Sequence, residues 1–231
     1  MILGGLQKLT LIDYPGYIAA TVFTVGCNFR CPFCHNPELV ISNQFPISNV
    51  MERDFFDFLK QRKGKIEGVC ITGGEPTIRP DIIEFIRKIK NLGFKVKLDT
   101  NGARPDVLRR LYKEKLLDFV AMDIKNSLEK YKETVKTEVD LERIKLSVGL
   151  ICHSGIDYEF RTTVVPGLHQ ENDFEKIGKW LRGAKKYVLQ TFEDKGKLLD
   201  PELKKRVKGK KIDLEEIAKS IRKYFGKVEI R

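Results

Sequence analysis

Short apolar segments alternate with amphipathic stretches along most of the chain. Six segments rich in Val, Ile, Phe and Thr have the composition of buried strands: Ile18–Val25, Val69–Thr72, Phe94–Leu98, Phe119–Ile124, Tyr158–Val165 and Tyr187–Phe192. Between them, apolar residues recur at helical spacing, as at Ile82, Ile86 and Ile89. The alternation predicts βα units, and therefore an α/β fold around a parallel sheet.

Proline and glycine mark the expected ends of several helices. Pro80 and Pro105 suit the first position of a helix, whereas Gly93 and Gly155 suit positions just past a helix end. After a last amphipathic segment, Lys227–Ile230 has the composition of a further strand.

Two charged stretches, Asn126–Asp140 and Glu193–Lys211, interrupt the alternation and are predicted to be exposed loops or short helices. The length of 231 residues suits one domain. We expect a lead-in at 1–17, a core at 18–192 and a C-terminal extension of helix and strand at 193–231.

The composition, 42% hydrophobic and 32% charged residues, is typical of a soluble globular protein. No apolar run approaches the ~18 residues that a membrane-spanning helix needs, and Met1–Thr10 lacks the pattern of an export signal. We therefore expect a cytoplasmic protein that does not associate with membranes.

The net charge of +11 could attract nucleic acid, an acidic protein surface or an anionic cofactor. It could equally reflect surface ion pairs, because Lys and Glu are abundant. The charge alone does not choose among these. We interpret the basic run Lys204–Lys211 as a solvated face or a docking surface rather than a nucleic-acid site.

Three of the five cysteines, Cys27, Cys31 and Cys34, follow the first predicted strand with C-x3-C-x2-C spacing. Thiolates this close in one loop can converge on one metal centre. Iron–sulfur clusters usually take four thiolates, so a set of three leaves one iron of a [4Fe–4S] cube open to another ligand.

Three other interpretations of these cysteines are possible. A zinc site would need a fourth ligand such as His35, whose adjacency to Cys34 makes joint ligation awkward. The run Cys31–His35 also matches the C-x-x-C-H haem motif, which normally belongs to exported proteins. Ordinary buried cysteines would have no reason to be so dense in one loop. Cys70 and Cys152 fit buried strand and helix positions and are given no role.

Polar residues follow the later strands where functional side chains of parallel folds gather. The groups are Thr72-Gly73-Gly74-Glu75-Pro76, Asp99-Thr100-Asn101-Gly102, Asp123-Ile124-Lys125, and, within the last two strands, Arg161 and Gln190. Each has a plain alternative: a tight turn, a helix cap, or an ion pair such as Lys125 with Asp123 or Arg161 with Glu159.

The cysteine spacing with its aromatic neighbour Phe33 resembles the signature of the radical S-adenosylmethionine (SAM) superfamily. This resemblance implies a [4Fe–4S] cluster on Cys27, Cys31 and Cys34 whose open iron binds the amino and carboxylate groups of SAM. Electron transfer then cleaves SAM to methionine and a 5′-deoxyadenosyl radical. Most of the difficult chemistry would belong to the cofactor.

The same resemblance implies roles for the other groups. Gly73, Gly74 and Glu75 would hold the methionine moiety of SAM. Asp99, Thr100 and Asp123 would hold a monovalent cation near the SAM carboxylate, with Asn101 and Lys125 as polar neighbours. Arg161 would point toward SAM. Gln190 stands where related proteins often have a histidine near the adenosine, and this departure weakens that contact.

The segment Gly5–Gly16, the run Cys34-His35-Asn36-Pro37 and the small size resemble glycyl radical enzyme activating proteins, above all those of anaerobic ribonucleoside-triphosphate reductase. This implies a partial (β/α)6 TIM-like barrel, a low-potential electron donor such as flavodoxin or ferredoxin, and a glycyl radical generated on a partner enzyme. Alternatives are a pyruvate formate-lyase type activase, a small-molecule enzyme of modified-nucleobase (7-deazaguanine) synthesis, or an electron-transfer module.

Overall fold

The computed structural model describes residues 1–41, 50–194 and 196–231, and within these ranges eight strands form one sheet. The strands are β1 (Leu3–Thr10), β2 (Ala19–Thr24), β3 (Gly68–Gly73), β4 (Lys95–Thr100), β5 (Phe119–Asp123), β6 (Asp157–Val164), β7 (Lys186–Thr191) and β8 (Lys227–Ile230). Their order in the sheet is their order in the chain. All neighbours from β2 to β8 are parallel, whereas β1 runs antiparallel to β2.

Helices cover the sheet between successive strands. They are α1 (Pro37–Val40), α2 (Glu52–Gln61), α3 (Ile82–Asn91), α4 (Pro105–Lys113), α5 (Tyr131–Val135), α6 (Leu141–Cys152), α7 (Glu171–Trp180), α8 (Leu203–Val207) and α9 (Leu214–Ile221). Short 3-10 helices span Pro76–Ile78, Leu128–Lys130 and Arg222–Tyr224. In the described part of the chain no helix is long and apolar enough to span a membrane.

The predicted α/β fold with a partial barrel is confirmed. All six predicted strands are present within one or two residues, as is the strand at Lys227–Ile230, which pairs with β7. Among the described residues the sheet order ends at β1 and β8 without a pairing between them, so the barrel is not closed.

Two local predictions need correction, and the lead-in at 1–17 contains an unpredicted strand, β1, whose half-exposed side chains lack the apolar run of a buried strand. Pro80 lies before α3 rather than at its first position, whereas Pro105 does begin α4. The stretches 126–140 and 193–211 are not wholly exposed, because side chains such as Tyr131, Val135 and Leu203 are buried.

The two faces of the sheet have different chemistry because strand side chains alternate in direction. Val96, Leu98, Val120 and Met122 belong to the apolar core under the helices. The intervening residues of the same strands are polar or small and face the barrel interior. Charged side chains can lie there because helices cover only the other face.

Phe85 of α3 belongs to a cluster of aromatic rings in the apolar core. Its side chain is 1% exposed, and its ring stacks on Phe55 with centroids 5.3 Å apart and meets Phe56 edge-on at 5.4 Å. Truncation would leave a cavity that neighbouring rings of fixed shape cannot fill.

We therefore expect Phe85→Ala to lower the free energy of unfolding by about 3–5 kcal/mol. Leu146→Ala on α6 is the control, because the Leu146 side chain is 46% exposed, and should change it by less than about 0.5 kcal/mol. Urea denaturation of both variants measures the difference. Equal changes in the free energy of unfolding would show that this aromatic cluster contributes no more to stability than an exposed leucine does.

Candidate active site

The cysteine loop follows β2 at the carboxyl edge of the sheet. Cys31 is buried, whereas Cys27 and Cys34 are half-buried. All five cysteines of the chain are free thiols. Two backbone hydrogen bonds shape the loop: the Cys34 N–H donates to the Cys31 carbonyl at 3.0 Å, and the Gly26 N–H donates to the Leu39 carbonyl at 2.7 Å.

Burial raises the pKa of the Cys27 thiol to about 12 and that of Cys31 to about 11, and it also raises the pKa of Cys34. Metal ligation requires thiolates, so iron binding here must displace protons. Within residues 1–41, 50–194 and 196–231, no three His, Cys, Asp or Glu side chains are placed to share a single metal ion. A four-iron cluster makes a different demand, because its thiolates ligate separate irons.

Both charged stretches of the sequence pack against the cysteine loop. The Arg30 N–H donates to the Val135 carbonyl at 2.9 Å, and the Phe29 ring meets Tyr131 at 6.4 Å. From the other stretch, the Leu199 N–H donates to the Cys34 carbonyl at 3.0 Å, and the next N–H donates to the Pro32 carbonyl at 3.1 Å. These segments therefore hold the loop from two sides.

The Gly73-Gly74 turn at the end of β3 lies directly against the start of the cysteine loop. The Glu75 N–H donates to the Gly26 carbonyl at 2.8 Å. A Cβ on Gly74 would come 2.0 Å from that carbonyl oxygen, and a Cβ on Gly73 would come 2.5 Å from the Thr24 nitrogen. Gly73 also has φ +108°, which favours glycine. Both glycines are thus required by backbone contact.

The Glu75 carboxylate joins the third and fourth strand ends and is 1% exposed. One oxygen accepts hydrogen bonds from the Thr77 N–H at 3.0 Å and the Thr100 hydroxyl at 2.7 Å. The other accepts from the Asn101 N–H at 2.6 Å. Burial raises the pKa of Glu75 despite these donors. The Asn101 side chain then donates to Asn28 of the cysteine loop at 2.9 Å.

A charged network lies beside this junction. Arg161 bridges Asp99, at 3.0 Å, and Asp123. Lys125 pairs with Asp123 at 2.8 Å, and Lys97 pairs with Asp99. Burial alone would raise the pKa of Asp123, but Arg161 and Lys125 outweigh it and hold that pKa well below its usual range. The pKa of Asp99 is lowered against burial in the same way, by Arg161 and Lys97.

Lys125 forms the ion pair with Asp123 that the sequence suggested as the alternative to a role in ligand binding. Arg161 does not pair with Glu159, which instead accepts two hydrogen bonds from Arg231, at 2.9 and 2.8 Å. His169 is buried; its Nδ1 accepts from the Val165 N–H at 3.0 Å, and its Nε2–H donates to the Lys125 carbonyl at 2.9 Å. It therefore supports the loop after β5 rather than facing the cavity.

One cavity of about 260 Å³ brings the predicted residues together. Its lining includes each residue expected to hold the cluster, SAM or a cation: Cys27, Cys31, Phe33, Cys34, Gly73, Gly74, Glu75, Asp99, Thr100, Asn101, Asp123, Lys125, Arg161 and Gln190. The individual roles of these residues stay predictions. His35 also lines the cavity, and its exposed ring lies 5.8 Å from that of Phe192.

Two residues with clear contacts here had not been singled out from the sequence. Asn28 links the cysteine loop to Asn101, and Lys97 pairs with Asp99 below the cavity. The signal for Lys97 was available, because it stands two residues before Asp99 in one strand and must share its face. Nothing in the sequence indicated Asn28.

The sequence profile of the radical SAM superfamily matches residues 21–181. The chain belongs to the radical SAM superfamily. Its match includes the cysteine loop, the Gly73-Gly74-Glu75 turn and the strands that carry the charged network. The sequence-based assignment to this superfamily is therefore confirmed, and the protein is a radical SAM enzyme.

Two relatives of this radical SAM chain carry names of activating enzymes. A Methanocaldococcus jannaschii protein named "Putative glycyl-radical enzyme activating enzyme" is 38% identical over 100% of this chain and 95% of its own length. The pyruvate formate-lyase-activating enzyme of Streptococcus mutans is 28% identical over 79% of this chain and 72% of its own length. These relatives support the predicted resemblance to activating proteins, and they name no ribonucleotide reductase.

Among solved structures, Streptococcus suis SuiB bound to S-adenosylmethionine matches with a TM-score of 0.66 and 16% identity. The match covers 90% of this radical SAM chain and 48% of SuiB, so this chain spans about half the length of that structure. At this identity the likeness concerns the fold alone.

The contacts of Glu75 lead to a stability prediction. In Glu75→Gln, an NH2 group replaces one of the two carboxylate oxygens, each of which accepts from a backbone N–H. Two hydrogen-bond donors would then face each other. We expect the free energy of unfolding to fall by about 1–3 kcal/mol, the cost of a buried unpaired donor. Thermal or urea unfolding measures it, with Glu142→Gln as control because the Glu142 side chain is 79% exposed. If Glu75→Gln unfolds with the same free energy as the wild type, the hydrogen bonds of Glu75 with Thr77, Thr100 and Asn101 do not stabilise the protein as expected.

Proposed function

We propose that this radical SAM enzyme is a glycyl radical enzyme activase. The observation that carries the proposal is that one cavity is lined both by the three thiols and by the strand-end groups that the resemblance assigns to SAM binding. The proposal is further supported by a relative with an activating-enzyme name that is 38% identical over the whole chain.

The cavity residues fit a [4Fe–4S] cluster and SAM. Cys27, Cys31 and Cys34 would ligate three irons of the cluster, which when bound supplies the electron that cleaves SAM. The Gly73-Gly74 backbone, which has no side chains to keep a ligand away, would lie along the methionine moiety. Phe33 and Gln190 would line the rest of the SAM site.

The target would be a glycine of a partner protein. The 5′-deoxyadenosyl radical would take a hydrogen atom from the glycine α-carbon, which leaves 5′-deoxyadenosine and a glycyl radical on the partner. Among the described residues β1 and β8 do not pair with each other, and a partner loop would approach the cavity between these two strands. Anaerobic ribonucleoside-triphosphate reductase is the preferred partner, because of the resemblance of Gly5–Gly16 and Cys34–Pro37. Pyruvate formate-lyase is the second candidate, because an enzyme activating it also matches.

The electron donor would dock near the cysteine loop. Leu199 and Asp200 contact this loop through their N–H groups, and α8 follows directly with Lys205, Arg206 and Lys208 exposed to solvent. Lys205 and Arg206 are already paired with Glu202 and Asp200, but the run Lys204–Lys211 contains six basic residues and no acidic ones. An acidic flavodoxin or ferredoxin would be attracted to this run.

The cluster assignment gives the first test. Anaerobic reconstitution of Cys31→Ala with iron and sulfide should give less bound iron than the wild type. SAM cleavage, measured as 5′-deoxyadenosine, should fall more than about 100-fold. Even a mutation of a residue that only hydrogen-bonds to a metal ligand can lower metal affinity or activity by up to about 100-fold. Cys152→Ala is the control, because Cys152 lies on α6 outside the cavity. Full iron content and cleavage in Cys31→Ala would refute the cluster site.

The activase assignment needs a separate test with a partner. Reconstituted enzyme, reductant and SAM should produce the EPR signal of a glycyl radical when anaerobic ribonucleoside-triphosphate reductase is added. Omission of SAM should abolish the signal, and pyruvate formate-lyase in place of the reductase should give a weaker one. If 5′-deoxyadenosine forms but neither partner shows a radical, the activase proposal fails while the radical SAM assignment survives.

A further inference from the structure

The two carboxylates expected to bind a cation already have a charged partner at every oxygen. Asp99 contacts Lys97 through one oxygen and Arg161 through the other, the latter at 3.0 Å. Asp123 contacts Arg161 through one oxygen and Lys125 through the other, the latter at 2.8 Å. The guanidinium group of Arg161 thus lies between the two carboxylates, in the place that a bridging metal ion would need.

Thr100, the third expected cation ligand, is engaged elsewhere. Its hydroxyl donates to the Glu75 carboxylate at 2.7 Å and accepts from the Gly102 N–H at 3.1 Å. The oxygen set expected for a monovalent cation is therefore used up within the protein. The described residues do not fit that ion.

Within residues 1–41, 50–194 and 196–231, Asp99 is the carboxylate that pairs with Lys97. The Lys97 side chain is 2% exposed, and two further neighbours of its ammonium nitrogen, the Cys70 sulfur at 3.7 Å and the Phe119 ring at 5.9 Å, carry no negative charge to replace that carboxylate. A buried ammonium without a carboxylate is strongly disfavoured. Lys97 is therefore committed to Asp99 whenever the protein is folded.

The position of Lys97 separates it from the groups that would touch SAM. Asp99, Asp123, Lys125 and Arg161 line the cavity, and Lys97 does not. Because side chains two residues apart in a strand share a face, Lys97 lies one layer deeper in the barrel, directly below Asp99. It can set the charge and position of Asp99 but cannot reach the ligand, so it is a positioning residue.

We propose that the ammonium group of Lys97 is a built-in cation of this SAM site, and that the site works without a bound monovalent metal ion. The ammonium and guanidinium groups of Lys97, Lys125 and Arg161 contact every oxygen of the Asp99 and Asp123 carboxylates. A metal cation at either carboxylate would therefore face positive charges already in contact with it. The Glu75 carboxylate of the same cavity is occupied by N–H and hydroxyl donors. The inference rests on the proposed SAM site, and it replaces the cation expected there with a side chain of the chain itself.

The first test uses the wild-type protein and needs no variant. SAM binding to the anaerobically reconstituted enzyme is measured by equilibrium dialysis in NaCl, KCl and tetramethylammonium chloride at one ionic strength. Tetramethylammonium is too large for a buried cation site. We expect dissociation constants that agree within about twofold, far from the tenfold that ~1.4 kcal/mol of ion binding would give. SAM binding that weakens about tenfold or more in tetramethylammonium would overturn the proposal.

The second test removes the built-in charge. In Lys97→Met the buried Asp99 carboxylate loses a partner and gains space, so K⁺ or Na⁺ should now bind there. SAM should bind about tenfold or more tightly in KCl than in tetramethylammonium chloride, and KCl should raise the melting temperature of the variant by about 2–4 °C. Lys88→Met is the control, since Lys88 pairs with Glu52 on the surface, and should show neither effect.

A double variant, Lys97→Met with Asp99→Asn, removes both charges and should lose the salt preference again. If Lys97→Met folds and shows no preference among the three salts in either measurement, the proposal is wrong. If the wild type binds no SAM in any salt, the proposed function fails instead. The melting temperatures, which need neither cluster nor SAM, then still decide the role of Lys97.

Discussion

The parallel register of β2 to β7 is the constraint on which the site depends. Each of these strands ends at the same edge of the sheet, so groups as far apart in the chain as Cys27 and Gln190 meet within one cavity. The cysteine loop, the Gly73-Gly74 turn and the acidic strand ends would have no common chemistry without this edge. Hydrogen bonds between the strand ends, such as those of Glu75, then make the edge one connected structure.

The second constraint is the separation of apolar and charged residues by the sheet itself. The helix-covered face contains the aromatic and aliphatic core, which supplies most of the driving force for folding. The inner face can therefore contain buried charges, provided that each one is paired. Lys97, Asp99, Arg161, Asp123 and Lys125 satisfy this condition among themselves.

Irregular segments complete the site from outside the sheet. Residues near Tyr131 and Val135 support one side of the cysteine loop, and Leu199 and Asp200 support the other. Both segments look like exposed linkers in the sequence, because charged residues outnumber apolar ones. Their few buried side chains and backbone N–H groups matter only because the cysteine loop lies next to them.

The sequence by itself determined the six main strand segments, the α/β class, the cysteine spacing and the motifs after each strand, because these depend on local periodicity and on short runs of residues. Only the tertiary structure decided which polar groups pair. Asp99 and Asp123 were expected to hold a cation, yet Arg161, which lines the cavity as expected, also lies between the two carboxylates, and Lys97 pairs with Asp99 from below. The two ion pairs of Arg161 depend on distances between side chains of different strands, and no pattern along one strand contains those distances.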